Sequence, residues 1–271
     1  MSLLSPDRYI AVLGPTRVQL ARRRGSQLDN LGSAACASRD LGDWAGAADA
    51  LEQLLARPGR RGELAVVLGE HFAHYTLVPW SDAIGTPDEL TSYARICFEE
   101  IYGSDAAGWA VQLSPDAAGQ PRLAVAIAQG LLERLATLAT TAGLRLVSVQ
   151  PYLMSAFNRL CRPLAGDDFL FLLAEPERSC LLVARDGRWV TVRSTAGSDS
   201  DGSLAVLLAR ESELQELGEQ APMSIYIHAP GRADLTPAPV HGLLPQVLGQ
   251  PRRSVAGEAP DPLWAMAMTV N

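Results

Sequence analysis

Side chains able to do chemistry are few and scattered in this chain. His71 and His74 in "HFAH" have only Glu70 beside them. A metal site needs further His, Cys or carboxylate partners, so both are read as ordinary histidines around a strand turn. His228 falls at the end of an apolar strand and His241 in a loop, and neither a G-x-S-x-G elbow nor a Cys–His signature accompanies them. Glu99 and Glu100 are adjacent on a helix and diverge around it, which prevents an acid–base pair. Arg22, Arg23 and Arg24 form a basic cluster that fits a solvated strand end, with anionic lipid or an acidic partner as the alternative. Two stretches remain: "AVLGPTRVQLARR" (11–23) and "FLFLLAEPERSCLLVARDG" (169–187) share one shape, an apolar strand, a short turn and a second apolar strand.

The elements that position these residues belong to a folded globular chain. Its 271 residues, 48% of them hydrophobic, suffice for two modest domains or one large one. A net charge of −7 argues against nucleic acid, although all 23 basic residues are arginine. Cys36, Cys97, Cys161 and Cys180 are widely spaced, without a C-x-x-C pair or a preceding signal-peptide pattern, and are read as small buried hydrophobes in a reducing compartment. No apolar run reaches the ~18 residues of a membrane span, so a soluble, cytoplasmic chain is expected.

Along the chain, "YIAVL" and "RVQLA" predict a hairpin around Gly14–Thr16, and a Gly-, Ser- and Asn-containing connection follows. Asp43 then caps a helix through "WAGAADALEQLLAR". Strands "ELAVVLG" and "HYTLVPW", a helix after Thr86-Pro87-Asp88-Glu89, the strand pair "GWAVQLS" and "RLAVAIA", a helix "GLLERLATLATTAG" and a strand "LRLVSVQ" complete the first part. The second repeats the theme: a helix "YLMSAFNRLC", three strands whose last two are joined by Asp186-Gly187, a helix about Leu204–Leu217, the strand "SIYIHA", a Pro- and Gly-rich loop and a final helix in "DPLWAMAM". Among the tryptophans, Trp80 follows Pro79 in a loop and is the one expected at the surface.

This layout resembles the actin-like ATPase superfamily, specifically the PilM-type pilus assembly proteins and the GspL cytoplasmic domains of type II secretion. The passage "RLAVAIAQGLLERLATLATTAGLRLVSVQPYLMSAFNRL" is similar to the family's alanine-rich strand, helix, "AGL", strand and helix into the second half. "LVPWSDAIGTPDELTSYARICFEEIYG" resembles its inserted subdomain, and "HGLLPQVLGQPRRSV" with "PLWAMAM" its closing segments. The resemblance implies an α/β fold, actin-like (ribonuclease H-like), with a first half at 1–150 that includes a small inserted subdomain at about 64–127, and a second half at 151–271.

In nucleotide-binding relatives each hairpin turn holds phosphates. The first reads roughly D-I-G-S-S-S-V-K-V-A, with the aspartate organising the metal's water shell and glycine and serine supplying donors. Here Val12 stands at the aspartate, and Pro15 lacks an N–H. Gly14 and Thr16 are kept, and Arg17 is the nearest cation in sequence. In the second hairpin Leu173 stands at the aspartate and Glu175 at the glycine, with Glu177 following. A carboxylate ~5 Å from a phosphate is repelled by about 3 kcal/mol at an effective dielectric near 20. After "SIYIH", Ala229-Pro230-Gly231 offers one glycine where the family has a Gly-Gly pair for adenosine. These departures predict no cofactor and no enzymatic activity.

The resemblance therefore implies a nucleotide-free cytoplasmic scaffold of a type IV pilus or type II secretion assembly platform. It would dock the cytoplasmic tail of an inner-membrane partner, sit at the inner membrane through that partner, and also contact a secretion ATPase. Trp80 is the candidate partner-binding residue. The chain ends where GspL continues into a membrane helix, which matches the PilM arrangement or a truncated chain. Two alternatives stay open. An ATP-binding member would hold phosphate through Gly14, Thr16 and Arg17, and a sugar-kinase-like enzyme would need a catalytic aspartate that no motif nominates.

Overall fold

The computed structural model describes residues 7–36, 42–215, 223–250 and 261–270. In it the first hairpin is β1 (Arg8–Leu13) and β2 (Arg17–Arg24), extended by β3 (Gln27–Ala35). The sequence "QLDNLGSAA" is poor in strand formers, which is why it reads as a connection. It is held as an edge strand by its antiparallel ladder to β2. The register slips between Leu20 and Ala21, so Leu31 is an extra residue opposite them, and Gly32 next to it takes φ +134°. Edge position explains the half-exposed polar side chains.

Helix α1 (Ala45–Leu55) follows, with Ala47, Ala48, Leu51 and Leu55 buried. Its start differs from expectation by one position: Trp44 is the capping residue and makes no side-chain bond, while Asp43 Oδ1 accepts the Ala45 N–H at 3.3 Å. Strand β4 (Gly62–Leu68) lies parallel to β1. Next come β5 (His74–Val78), α2 (Pro87–Tyr102), a 3₁₀ turn at Gly103–Gly108, β6 (Trp109–Leu113), β7 (Arg122–Ala128), α3 (Gln129–Thr141) and β8 (Leu144–Pro151). α2 begins with a reciprocal capping box: Thr86 Oγ1 accepts the Glu89 N–H, and Glu89 accepts the N–H of Gly85 at 2.9 Å and of Thr86 at 3.0 Å. Those bonds hold the Glu89 carboxyl below its ordinary range.

The helix read in "YLMSAFNRLC" is α4 (Tyr152–Ala156), which widens into a π-turn at Phe157–Cys161. Strands β9 (Phe169–Glu175), β10 (Arg178–Arg185) and β11 (Arg188–Ala196) follow. The β10–β11 turn puts Asp186 at φ 48° and Gly187 at φ 68°, the left-handed pair that a tight hairpin requires. Helix α5 (Asp201–Leu214), β12 (Ser224–His228), a two-residue β13 (Gln246–Val247) and α6 (Pro262–Thr269) complete the order. Residues 216–217 of the helix expected to reach Leu217, and 251–255 of the closing segment, lie outside the described residues.

Two five-stranded sheets have matching orders, β3-β2-β1-β4-β8 and β11-β10-β9-β12-β13, and a third, smaller sheet runs β5-β7-β6. In both large sheets a three-stranded antiparallel meander is followed by strands parallel to its first member. The chain divides into two compact units. One holds Met1–Ala73, Ile127–Ser155 and Leu263–Asn271, and the other His74–Ala126 and Ala156–Pro262. In the second unit Leu170, Leu172, Val183, Ile225 and Ile227 form a core beneath Leu204 and Leu208 of α5. The small sheet has its own core of Val78, Phe98, Ala124 and Ala126. Among the described residues no helix is long and apolar enough to cross a membrane.

Candidate functional site

The β1–β2 turn lies in the first unit. Val12 is wholly buried, and its cross-strand partner is Gln19. The Gly14 N–H donates to Arg17 O at 3.0 Å, closing the turn on itself, and Pro15 has no N–H to give. Gly14 is buried, and a Cβ there would stand 3.1 Å from Leu263 Cδ2 of α6 and 3.2 Å from Arg17 O. On the other side Cys36 Sγ lies 3.5 Å from Gly14 O and 3.6 Å from Pro15 O, and the Cys36 N–H donates to Thr16 O. Thr16 alone of the three turn residues is exposed. The turn is thus packed from one side by a leucine and tied from the other by the end of β3. Cys36 departs from the expectation of buried cysteines by being half-buried; the other three are buried, and burial pushes the Cys161 thiol up to about 12.

The β9–β10 turn lies in the second unit. Leu173 is fully buried and pairs across the strand with Cys180. Glu175 is buried at the strand end, whereas Glu177 is exposed, its carbonyl accepting the Gly197 N–H at 3.0 Å. A Cβ on Gly231 would meet Asp199 Oδ2 at 3.3 Å and Pro176 Cγ at 3.7 Å, so the turn after β12 adjoins this one. There the guanidinium of Arg232 is occupied by Asp234 at 3.1 Å, Asp201 at 2.9 Å and Asp199 O at 2.7 Å. These carboxylates raise its pKa. Arg178, which opens β10 right after Glu177, donates from Nε to Ser194 Oγ at 2.8 Å.

The histidines have packing roles. His74 is buried and stacked on Trp109, with ring centroids 4.0 Å apart and planes 6° apart, and Tyr102 meets its edge. His71 packs edge-on against Phe72. Glu70 caps α4 instead of binding metal: its buried Oε1 accepts the Leu153 N–H at 2.7 Å. His228 is buried with Nδ1 2.9 Å from Leu248 O, and burial pushes its pKa down to about 4. Among the described residues no group of three or more His, Cys, Asp or Glu side chains could hold a metal ion.

Trp80 lies in an open groove beside the small sheet. Its indole is 37% exposed and is oriented by a 2.9 Å bond from Nε1 to Asp82 Oδ1. With Pro79, Ile84, Pro87 and Leu90 it lines a cavity of about 290 Å³ whose polar wall includes Gln120 and Arg122. Arg122, which no sequence motif singles out, makes one long bond, 3.5 Å to Ser114 O, and pairs with no carboxylate among the described residues. The capping box at the head of α2 fixes one rim of the groove.

No protein-family model matches the sequence, and comparison with curated proteins finds no match. Comparison with solved structures does. The chain is similar to EpsL's cytoplasmic domain, from an inner-membrane component of the Vibrio cholerae type II secretion system: 14% identity, 98% of this chain, 96% of that one, TM-score 0.58. It is equally similar to a chain of the PilM–PilN type IV pilus biogenesis complex: 16% identity, 99% and 98% covered, TM-score 0.58. A Bacteroides thetaiotaomicron protein with an actin-like ATPase fold and unknown function follows, with 9% identity, 84% and 83% covered, and TM-score 0.52. The fold is actin-like.

Proposed function

We propose that this actin-like chain is a nucleotide-free scaffold of a type IV pilus or type II secretion assembly platform. It docks the cytoplasmic tail of an inner-membrane partner, and it works in the cytoplasm at the inner membrane through that partner. The observation that carries the reading is the near-full-length likeness to EpsL's cytoplasmic domain and to the PilM–PilN complex, at equal TM-score. Closed phosphate turns support the absence of nucleotide. The spent Gly14 N–H, the donorless Pro15 and the paired Arg232 leave little to receive an anion.

The Trp80 groove supports docking, because a half-exposed indole with flanking proline and aliphatic side chains suits an apolar anchor of a peptide. A secretion ATPase is a further partner in this reading. The test is purification of the tagged chain from its native cells in mild detergent. A small inner-membrane protein is expected to co-purify, and Trp80→Ala should lower its recovery about tenfold without changing the melting temperature. Recovery of no inner-membrane component would contradict the proposal.

A further inference from the structure

Beyond that reading, one end of the first sheet is strongly basic in a chain of net charge −7. The ladder registers set Arg23, Arg8, Glu63 and Arg145 side by side across β2, β1, β4 and β8. Arg22 and Arg24 lie at the same strand ends. The segment leading into β4 adds Arg57, Arg60 and Arg61, and Arg60 sits over the Tyr9 ring at 5.7 Å. Against these stand four carboxylates among the described residues, each already engaged: Asp7 by Arg24 at 2.9 and 3.0 Å, Asp29 by Arg22 at 3.1 Å, Glu63 by Arg145, and Glu52, which lines the neighbouring cavity, by Arg134 at 2.6 Å. Arg57 and Arg61 are exposed and pair with no carboxylate among the described residues.

A cavity of about 520 Å³ opens at this end, between the last turns of α1 and α3. Leu55, Pro58 and Leu138 give it an apolar wall, and Arg57 and Arg60 stand on its border. Arg60 itself is fixed, donating to Leu54 O at 2.9 Å and Arg57 O at 3.1 Å, so it closes α1 and shapes the rim. Among the described residues, none of the large exposed hydrophobic side chains lies at this end. The interleaved carboxylates also break up the surface that a dense array of phosphates would need. Guanidinium forks that already grip individual carboxylates, beside a cavity for one apolar side chain, match an acidic protein segment.

We infer that the arginine-rich end of the β3-β2-β1-β4-β8 sheet docks an acidic peptide segment of a partner, with an apolar residue of that segment seated between α1 and α3. The test is fluorescence anisotropy at low salt with the full chain and a fluorescein-labelled peptide of glutamates interrupted by leucines. Saturable binding is expected. It should weaken roughly tenfold for Arg57→Gln/Arg61→Gln and by a similar factor when glycines replace the peptide's leucines, and Trp80→Ala should leave it unchanged. Both arginines are exposed, so the double variant should melt with the parent. No saturable binding, or binding insensitive to the double substitution, would overturn the inference. So would flotation with phosphatidylglycerol vesicles in the absence of peptide binding.

Discussion

The two large sheets share one strand order, yet their hairpin turns differ in what surrounds them. In the first, the β1–β2 turn keeps Gly14 and Thr16 but is sealed by packing, with Leu263 on Gly14 and Cys36 against the turn carbonyls. In the second, the β9–β10 turn is surrounded by carboxylates, with Glu175 buried at the strand end, Glu177 outside and Asp199 beside Gly231. A shared architecture therefore fixes where a turn is and leaves its chemistry to a few residues. Packing at the first turn should make stability sensitive to added volume there, whereas altered charge at an exposed residue of the second turn should leave stability nearly unchanged.

The largest expected effect tests how rigidly the first sheet is registered. The Glu63 N–H bonds Asp7 O at 3.0 Å, and its counterpart in the second sheet is Ser224 N–H to Asp168 O at 3.3 Å. Gly62 enters the first contact at φ +137°, where a Cβ would stand 2.0 Å from Asp7 O. Gly62→Ala should destabilise the protein by about 4 kcal/mol or more in urea unfolding.

The second sheet carries a pH liability in a buried histidine. His228 is held near pKa 4 by burial and has an ordinary value of 6.5 when unfolded. Between those values the unfolded chain binds the extra proton, so stability is full above pH 6.5 and falls as pH drops towards 4. The loss from this group is about 3 kcal/mol. Urea midpoints across that window should show it, and His228→Gln should flatten the slope.

The turns themselves come next. Gly14→Val forces a branched side chain against Leu263 and should cost about 2 kcal/mol. At the exposed position of the other turn, Glu177→Gln should stay within about 0.5 kcal/mol. Equal losses at both turns, measured by thermal denaturation, would contradict the contrast between packing and charge.

Much of the fold was legible because periodicity and punctuation agreed. The runs "FLFLLA" and "SCLLVAR" with Asp186-Gly187 gave the second meander, and Thr86-Pro87-Asp88-Glu89 gave the head of α2 with its capping box. β3 was hidden because its stability comes from the ladder to β2 and not from residue preference, and the two residues of β13 are too few to make a pattern. At the turns, the residue types Val12, Pro15 and Leu173 are plain in the sequence, as is the lack of a donor at Pro15. What surrounds them is not: Leu263 reaches Gly14 from the far end of the chain, and Asp199 and Arg232 meet only through folding. The wall that Arg122 gives the Trp80 groove is likewise a product of the fold, since 42 residues separate the two.

Calorimetric titration of the full chain with Mg-ATP tests the central claim most directly, because both turns contribute to one outcome. The predicted result is no binding heat and no rise in melting temperature, since only a ligand that favours the folded state raises it. Micromolar affinity that disappears in Thr16→Ala would contradict it and make the chain a nucleotide-binding member of the fold.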